Sequence, residues 1–170
     1  MTTAQTMLSI AAFALLSTVL LSFQRLVAES SQDMGDNQDV IVATALASRY
    51  IEIAQSMNFD EYVISHPIPF GNPALLTPPS RLGPDGEIGL NNFDDFDDFN
   101  DTTMVVDAGG GNGLFSVAFQ VYYVTSDDIS TPSGTQTFMK RMDIKVWRND
   151  KPNVQDTIRQ FTTMACFRFN

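Results

Sequence analysis

The feature that most constrains this chain is its start, because residues 1–24 carry no charged side chain. Residues 7–23 read MLSIAAFALLSTVLLSF, and a helix of roughly 20 apolar residues is long enough to cross a bilayer. No proline precedes Pro67, and Gly35 is the only glycine before that point. A glycine inside a helix costs only about 1 kcal/mol relative to alanine. The start of the sequence therefore predicts one long helix with an apolar first half.

The helical pattern continues beyond Phe23, but its character changes near Gln24 and Arg25. Apolar residues then recur at three- and four-residue steps as far as Met57, with charged residues between them. This spacing is typical of one face of an amphipathic helix. We predict an apolar half-helix over residues 1–25 and an amphipathic half over 26–57.

The apolar run has several interpretations. A cleavable secretory signal needs a basic residue before the run and a small-residue cleavage site, whereas no Lys or Arg precedes this run and "LVAES" is a poor site. A permanent membrane anchor is usually oriented by cytoplasmic positive charge, and none stands before the run. A membrane anchor with a helical stalk is the alternative to an assembling helix. A short basic leader removed just before Met1 would explain the missing charge.

The rest of the chain, residues 26–170 with the amphipathic half-helix, is predicted to form one globular head. Six prolines between Pro67 and Pro84 indicate an irregular connector over residues 65–90. Strand patterns follow in LFSVAFQVYYV, MKRMDIKVW and DTIRQFTTMACFRF, and a polar loop joins the first two. We predict an α+β fold in which the long helix packs on an antiparallel sheet of three or four strands over 114–169.

An acidic segment, residues 91–107, reads NNFDDFDDFNDTTMVVD. Its phenylalanines recur every third residue, so a tight turn places their rings on one face and the carboxylates on the other. Oxygen ligands at this density suit Ca²⁺, which takes six to eight of them in irregular geometry. The candidate ligands are Asp94, Asp95, Asp97, Asp98, Asn100 and Asp101. The alternative is a solvated acidic loop held down by its phenylalanines.

The uncharged start MTTAQTMLSIAAFALLSTVLL, the break at Gln24 and Arg25, and the helix end near Met57 together resemble the type IV pilin and pseudopilin family. The resemblance implies that a prepilin peptidase cleaves before Met1, which is then N-methylated. The subunit would wait in the inner membrane until the pilus assembly machinery bundles the apolar half-helices into a filament core. Gln5 stands where the family usually carries Glu, which implies a hydrogen bond to a neighbour's N-terminal amine in place of a charge pair.

The sequence DDFDDFN is similar to the Asp-Asp-x-Asp-Asp-aromatic-Asn/His-Gly signature of mannose-sensitive haemagglutinin-type minor pilins. Asp101 stands where that signature often has Gly. Some pseudopilins hold Ca²⁺ in a loop in place of a disulfide, and this chain has the single cysteine Cys166. The resemblance therefore adds to the case for a calcium loop.

These patterns predict a structural subunit that polymerises with itself into an extracellular filament on a bacterial surface. The residues expected to make the assembly contacts are Met1, Gln5, Met7, Ile10, Phe13, Leu15, Leu16, Leu20 and Phe23. One alternative is a minor pilin or secretion pseudopilin. Another is a membrane-anchored, calcium-binding surface module that does not polymerise.

Composition argues against other classes of protein. A net charge of −10, from 20 acidic and 10 basic residues, repels a phosphate backbone, so we expect no nucleic-acid partner. The only histidine, His66, lies in the proline-rich connector, so no histidine triad or zinc site can be assembled. Cys166 has no base near it in the sequence. We predict no catalytic residues and no enzymatic activity.

Overall fold

The computed structural model describes residues 2–66, 71–150 and 157–166. Helix α1 runs from Thr3 to Gln55. The chain separates into two compact units, residues 1–39 and 40–170, and α1 contributes to both. Met1 and the last residues of the predicted third strand pattern, 167–169, lie outside the described residues.

The described part of the second unit contains a four-stranded antiparallel sheet in the order β1-β2-β3-β4. The strands are β1 (Thr103–Asp107), β2 (Leu114–Tyr123), β3 (Met139–Arg148) and β4 (Ile158–Ala165). In each strand pair, neighbours in sequence are neighbours in the sheet, with Val117 opposite Val146 in the central pair. A long helix packed on an antiparallel sheet confirms the predicted α+β fold class.

The core lies between the C-terminal part of α1 and one face of the sheet. The helix contributes Ala43, Leu46, Ala47, Tyr50 and Ala54, all buried and spaced by one to four residues along one face. The sheet contributes alternate residues of its two central strands, Val117, Phe119, Val121, Met142, Ile144 and Val146. The Tyr50 and Phe119 rings meet edge to face, with their centroids 5.3 Å apart. Small helix residues let the backbone of α1 approach the sheet closely.

Two boundaries differ from the sequence prediction, and the connector has short local structure of its own. Helix α1 ends at Gln55, and a second helix, α2 (Glu61–Ser65), begins after Asp60, whose side chain accepts a hydrogen bond from the Tyr62 backbone N–H. The proline-rich connector contains short 3₁₀ turns at Pro73–Leu75 and Pro79–Arg81. Strand β1 occupies 103–107, the end of the segment assigned to the acidic loop, because its alternate residues turn toward the core.

Candidate functional site

The apolar half of α1 is exposed to solvent along its length, since every residue from 2 to 33 is exposed. The predicted assembly residues Met7, Ile10, Phe13, Leu15, Leu16, Leu20 and Phe23 are 56–73% exposed. Gln5 is exposed, and its side-chain oxygen accepts a hydrogen bond from the Thr2 backbone N–H at 3.3 Å. Within the described chain, α1 is the one helix long and apolar enough to cross a membrane. Exposed apolar surfaces of this extent are typical of segments that contact lipid or other protein.

The acidic motif, residues 94–101, lies in the second unit and is hydrogen-bonded to the residues that follow α1. Asn58 accepts a hydrogen bond from the Phe96 backbone N–H at 2.9 Å and donates to the Asp94 carbonyl. Phe93, Phe96 and Phe99 are all buried, and the Phe93 and Phe99 rings meet edge to face at 5.3 Å. The rings share one apolar face, as their spacing of three predicts.

Most of the carboxylates in this motif are buried as well, which a solvated acidic loop would not show. Asp95, Asp97 and Asp98 are each less than 5% exposed. One oxygen of Asp95 accepts hydrogen bonds from the backbone N–H groups of Asp97 and Asp98, at 2.7 and 3.2 Å. One oxygen of Asp98 accepts them from Asp94 and Asp95, at 2.9 and 3.0 Å. The side chains of Asp95 and Asp98 therefore stabilise the turn in which they lie.

The six predicted calcium ligands are not brought to one point. The Asn100 amide bridges the Leu82 carbonyl and the Val121 backbone N–H, at 3.0 and 2.8 Å, so it ties the motif to β2. Asp101 is exposed and takes the left-handed backbone conformation with φ 54°. Asp94 and Asp98 instead meet a residue that sequence reasoning did not select, Glu87, and one oxygen from each of the three lies within 4.8 Å of the others.

Lys140 is the second residue that sequence reasoning missed, and it is fully buried. Its Nζ lies 2.7 Å from an Asp60 carboxylate oxygen and 2.8 Å from the Phe59 carbonyl, and it also contacts the Asp97 carboxylate. The Phe59 and Tyr123 ring centroids lie 4.7 and 5.2 Å from the same nitrogen. Lys140 therefore joins the acidic motif of residues 94–101 to the strand β3 and to the start of α2.

Asp60 is the most completely bonded carboxylate in this group. Besides Lys140, it accepts hydrogen bonds from the Thr77 backbone N–H and hydroxyl at 3.1 Å and from the Tyr123 hydroxyl at 3.0 Å. Burial acts to raise the pKa of Asp60, but the Lys140 ammonium and these donors outweigh it and hold the pKa below its usual value. Asp60 is therefore the carboxylate that stays ionised beside Lys140.

Asp95 and Asp97 behave differently, although Asp97 contacts the same ammonium. Burial raises the pKa of Asp95 to about 9, and the neighbouring Asp97 charge adds to the rise. Burial also raises the pKa of Asp97, against the opposing effect of Lys140. Because one lysine cannot neutralise three buried carboxylates, this pair holds a proton.

The carboxyl group of Glu87 completes a smaller acidic cluster with Asp94 and Asp98, which we call the Glu87 cluster. Its Oε2 is buried and, among the described residues, has no hydrogen-bond partner. Burial and the nearby carboxylates of Asp98 and Asp94 raise the pKa of Glu87 to about 7. The three carboxylate oxygens suit a hard cation such as Ca²⁺. A bound cation or a proton would each relieve the repulsion between these carboxylates.

We predict that the Glu87 cluster makes stability depend on pH. The pKa of Glu87 is raised from 4.5 to about 7 in the folded state. The stability that its protonation contributes is therefore complete below pH 4.5 and is lost as the pH rises through about 7. In chelator-treated buffer, Glu87→Gln should match wild type in melting temperature at about pH 4 and exceed it at about pH 8. The control is Glu52→Gln, at an exposed position of α1, which should not alter the pH dependence of the melting temperature. Equal melting profiles for Glu87→Gln and wild type would contradict the raised pKa of Glu87.

The face of the sheet that turns away from α1 carries a groove of about 650 Å³. Arg141 is one of the residues that line it. Its guanidinium carbon lies 4.1 Å from the centroid of the Phe161 ring, and its Nε lies 2.7 Å from an Asp143 carboxylate oxygen. The Tyr122 hydroxyl donates to the same carboxylate at 2.8 Å. These contacts hold the arginine in a fixed position.

A signal for Lys140 is present in the sequence. In MKRMDIKVW, strand alternation places Lys140 on the same face as Met142, Ile144 and Val146. A lysine on the apolar face of a central strand requires a buried carboxylate partner. Its partners Asp60 and Asp97 are 80 and 43 residues away in sequence, so only the fold could identify them.

Comparison of the chain with profiles of protein families, with curated proteins and with solved structures found no match.

Proposed function

We propose that the chain is a structural subunit of an extracellular, type IV pilus-like filament on a bacterial surface, with no enzymatic activity. The observation that supports this function is the apolar half of α1, which carries no charge before Arg25 and is fully exposed. The C-terminal part of the same helix packs into the folded head. A helix that is apolar on all sides requires an apolar environment on all sides.

A filament core and a membrane would each supply that environment at a different stage. Residues 1–25 would lie in the inner membrane before assembly and would pack against the same segments of other copies afterwards. Each aliphatic side chain removed from water contributes roughly 1.5–3 kcal/mol. Non-closing, head-to-tail contacts of this kind generate helical filaments. The pilus assembly machinery would move the subunit from one environment to the other.

Negative-stain electron microscopy of the fraction sheared from the cell surface, with mass spectrometry of the subunit's N-terminus, tests this function. Thin filaments made of this chain, with a methylated Met1, would establish a major pilin. Filaments in which the chain is only a trace component would make it a minor pilin or a pseudopilin. A detergent-soluble monomer with an unprocessed leader would exclude both and leave the membrane-anchored module.

The Glu87 cluster favours a second candidate function, a membrane-anchored surface module that binds Ca²⁺. Carboxylate oxygens of Glu87, Asp94 and Asp98 lie within 4.8 Å of one another, and Asp94 is exposed, so an ion could reach the site from solvent. Ca²⁺ sites in extracellular modules bind at about 10⁻⁴–10⁻³ M. The same site is compatible with a filament subunit, where it would stabilise the head.

We predict that Ca²⁺ stabilises the folded head through this cluster. At a free concentration near ten times the dissociation constant, the gain in the free energy of unfolding would be about 1.4 kcal/mol. Thermal unfolding with and without about 10 mM Ca²⁺, ten times the weaker of these dissociation constants, measures it. Asp94→Asn should remove the gain, whereas Asp101→Asn, in the same motif but outside the cluster, should keep it. An equal response to Mg²⁺, or none to Ca²⁺, would contradict the site.

A further inference from the structure

We propose that the side chains of Lys140 and Asp97 join in an intramolecular amide bond, a covalent cross-link between strand β3 and the acidic motif. The bond would form within the folded head from these residues alone. It is independent of the filament function, since all the groups involved lie in the second unit of the chain.

The contact between the two reacting groups supports the proposal. Lys140 is 0% and Asp97 2% exposed, and the lysine Nζ touches the aspartate carboxylate. The other acceptors of the same nitrogen are the Phe59 carbonyl and Asp60, which hold it in place at 2.8 and 2.7 Å. An amine and a carboxyl group fixed in this way reach effective concentrations of about 10⁵–10⁸ M relative to free reactants.

The surroundings favour a neutral product. The rings of Phe59 and Tyr123 lie against the lysine nitrogen, and Phe96, beside Asp97 in sequence, is 0% exposed. An apolar environment penalises an ammonium and a carboxylate, even when they are paired. The amide replaces this pair of charges with a neutral group that keeps a donor and an acceptor.

The Asp60 carboxylate, which contacts the same nitrogen as Asp97, carries the proton. Lys140 passes one ammonium proton to Asp60, and its freed electron pair attacks Cγ of Asp97. Asp60 then gives this proton to the Asp97 oxygen that will leave. The C–N bond forms, the nitrogen loses a second proton to the same oxygen, and the C–O bond breaks to release water.

The step is balanced and needs no co-reactant. The products are the amide and one water molecule, and Asp60 is ionised again at the end. The net charge of the three side chains is the same before and after, and no atom is oxidised or reduced. Asp60 therefore carries a proton from the amine to the leaving oxygen, while Lys140 and Asp97 are the groups that become joined.

Intact-mass spectrometry of the denatured, full-length protein tests the proposal. Wild type is expected to be lighter than the mass of its sequence, after any N-terminal modification, by one water, about 18 Da. Proteolysis and tandem mass spectrometry should yield a branched peptide that contains both Lys140 and Asp97. A full-mass protein with separate peptides would overturn the proposal.

Variants make the result specific. Lys140→Arg should have the unshifted mass for its own sequence, whereas Lys145→Arg, an exposed lysine on the same strand, should keep the loss. Asp97→Asn should lose ammonia, about 17 Da, instead of water. Asp60→Asn should accumulate the full-mass form.

The peptide evidence also excludes another dehydration. Asp85 precedes Gly86, and an aspartyl-glycine pair can lose the same mass by closing on its own backbone. A mass loss that maps to Asp85 and leaves Lys140 and Asp97 in separate peptides would overturn the proposal. Because the wild-type measurement decides the question, a variant that fails to fold does not obscure it.

Discussion

A Lys140→Met variant is expected to lose roughly 3–5 kcal/mol of the free energy of unfolding. Lys140 is fully buried and its Nζ contacts both Asp60 and Asp97, so its removal leaves buried carboxylates without a cation. Methionine has nearly the same length and volume, so little of the effect comes from a cavity. Where residues 140 and 97 are joined by the amide, the variant loses that covalent link in place of the ion pair. Denaturant titration of the full-length chain in detergent, followed by circular dichroism, measures it.

The matched control is Lys145→Met, which changes the same residue type on the exposed face of the same strand. Its effect should stay within about 0.5 kcal/mol. The triple variant Lys140→Met, Asp60→Asn, Asp97→Asn removes the whole charge group and should recover part of the loss, because neutral partners no longer need a cation. If Lys140→Met were as mild as Lys145→Met, the buried network would not stabilise the head.

The expected destabilisation has a pH dependence of its own. Without the lysine, Asp60 loses the main interaction that holds its pKa below the usual value, and burial then raises that pKa. The carboxyl groups can therefore be neutralised by acid in the variant, and the difference from wild type should shrink as the pH is lowered from about 7 toward 4. A difference that is constant over this range would point to packing as the cause.

The fold class follows from patterns that are local in sequence. The three- and four-residue spacing that ends in Tyr50 and Ala54 places them on one helix face, and the alternation of Met142, Ile144 and Val146 places them on one sheet face. Both patterns depend only on backbone geometry. They predict the long helix and the last three strands, whereas β1, with three of its five residues exposed, gives a weaker signal.

The acidic site could not be predicted in the same way, because its partners are distant in sequence. The spacing of Phe93, Phe96 and Phe99 correctly predicted a shared apolar face. It could not show that Asp97 meets Lys140, or that Glu87 meets Asp98, since both pairings depend on how the connector and β3 fold back. Carboxylates at this density predict ligands for an ion. In the fold, Asp95 and Asp98 also accept hydrogen bonds from backbone N–H groups, and Asp97 contacts a lysine.

A carboxylate introduced at Leu15 or Leu16 is expected to abolish filaments. These residues are 68 and 60% exposed in the single chain, in the middle of the segment that the proposed filament would bury. A charge at the centre of an apolar helix costs about 2.5–3.5 kcal/mol even in a bilayer. Repeated in every subunit, a cost of this size would shift assembly by roughly two orders of magnitude per contact. Electron microscopy of the sheared surface fraction measures the number of filaments.

Two comparisons separate failed polymerisation from other defects. Leu16→Met keeps the site apolar and should leave filaments unchanged, and Thr131→Glu adds the same charge to an exposed loop of the head and should do the same. The membrane fraction of the Leu16→Glu strain should still contain the subunit, because one charge in so long an apolar run does not prevent insertion. Normal filaments from Leu16→Glu would contradict a core built from this helix. If the wild-type strain forms no filaments and the Leu16→Glu subunit is released from the membrane, the segment acts only as a membrane anchor.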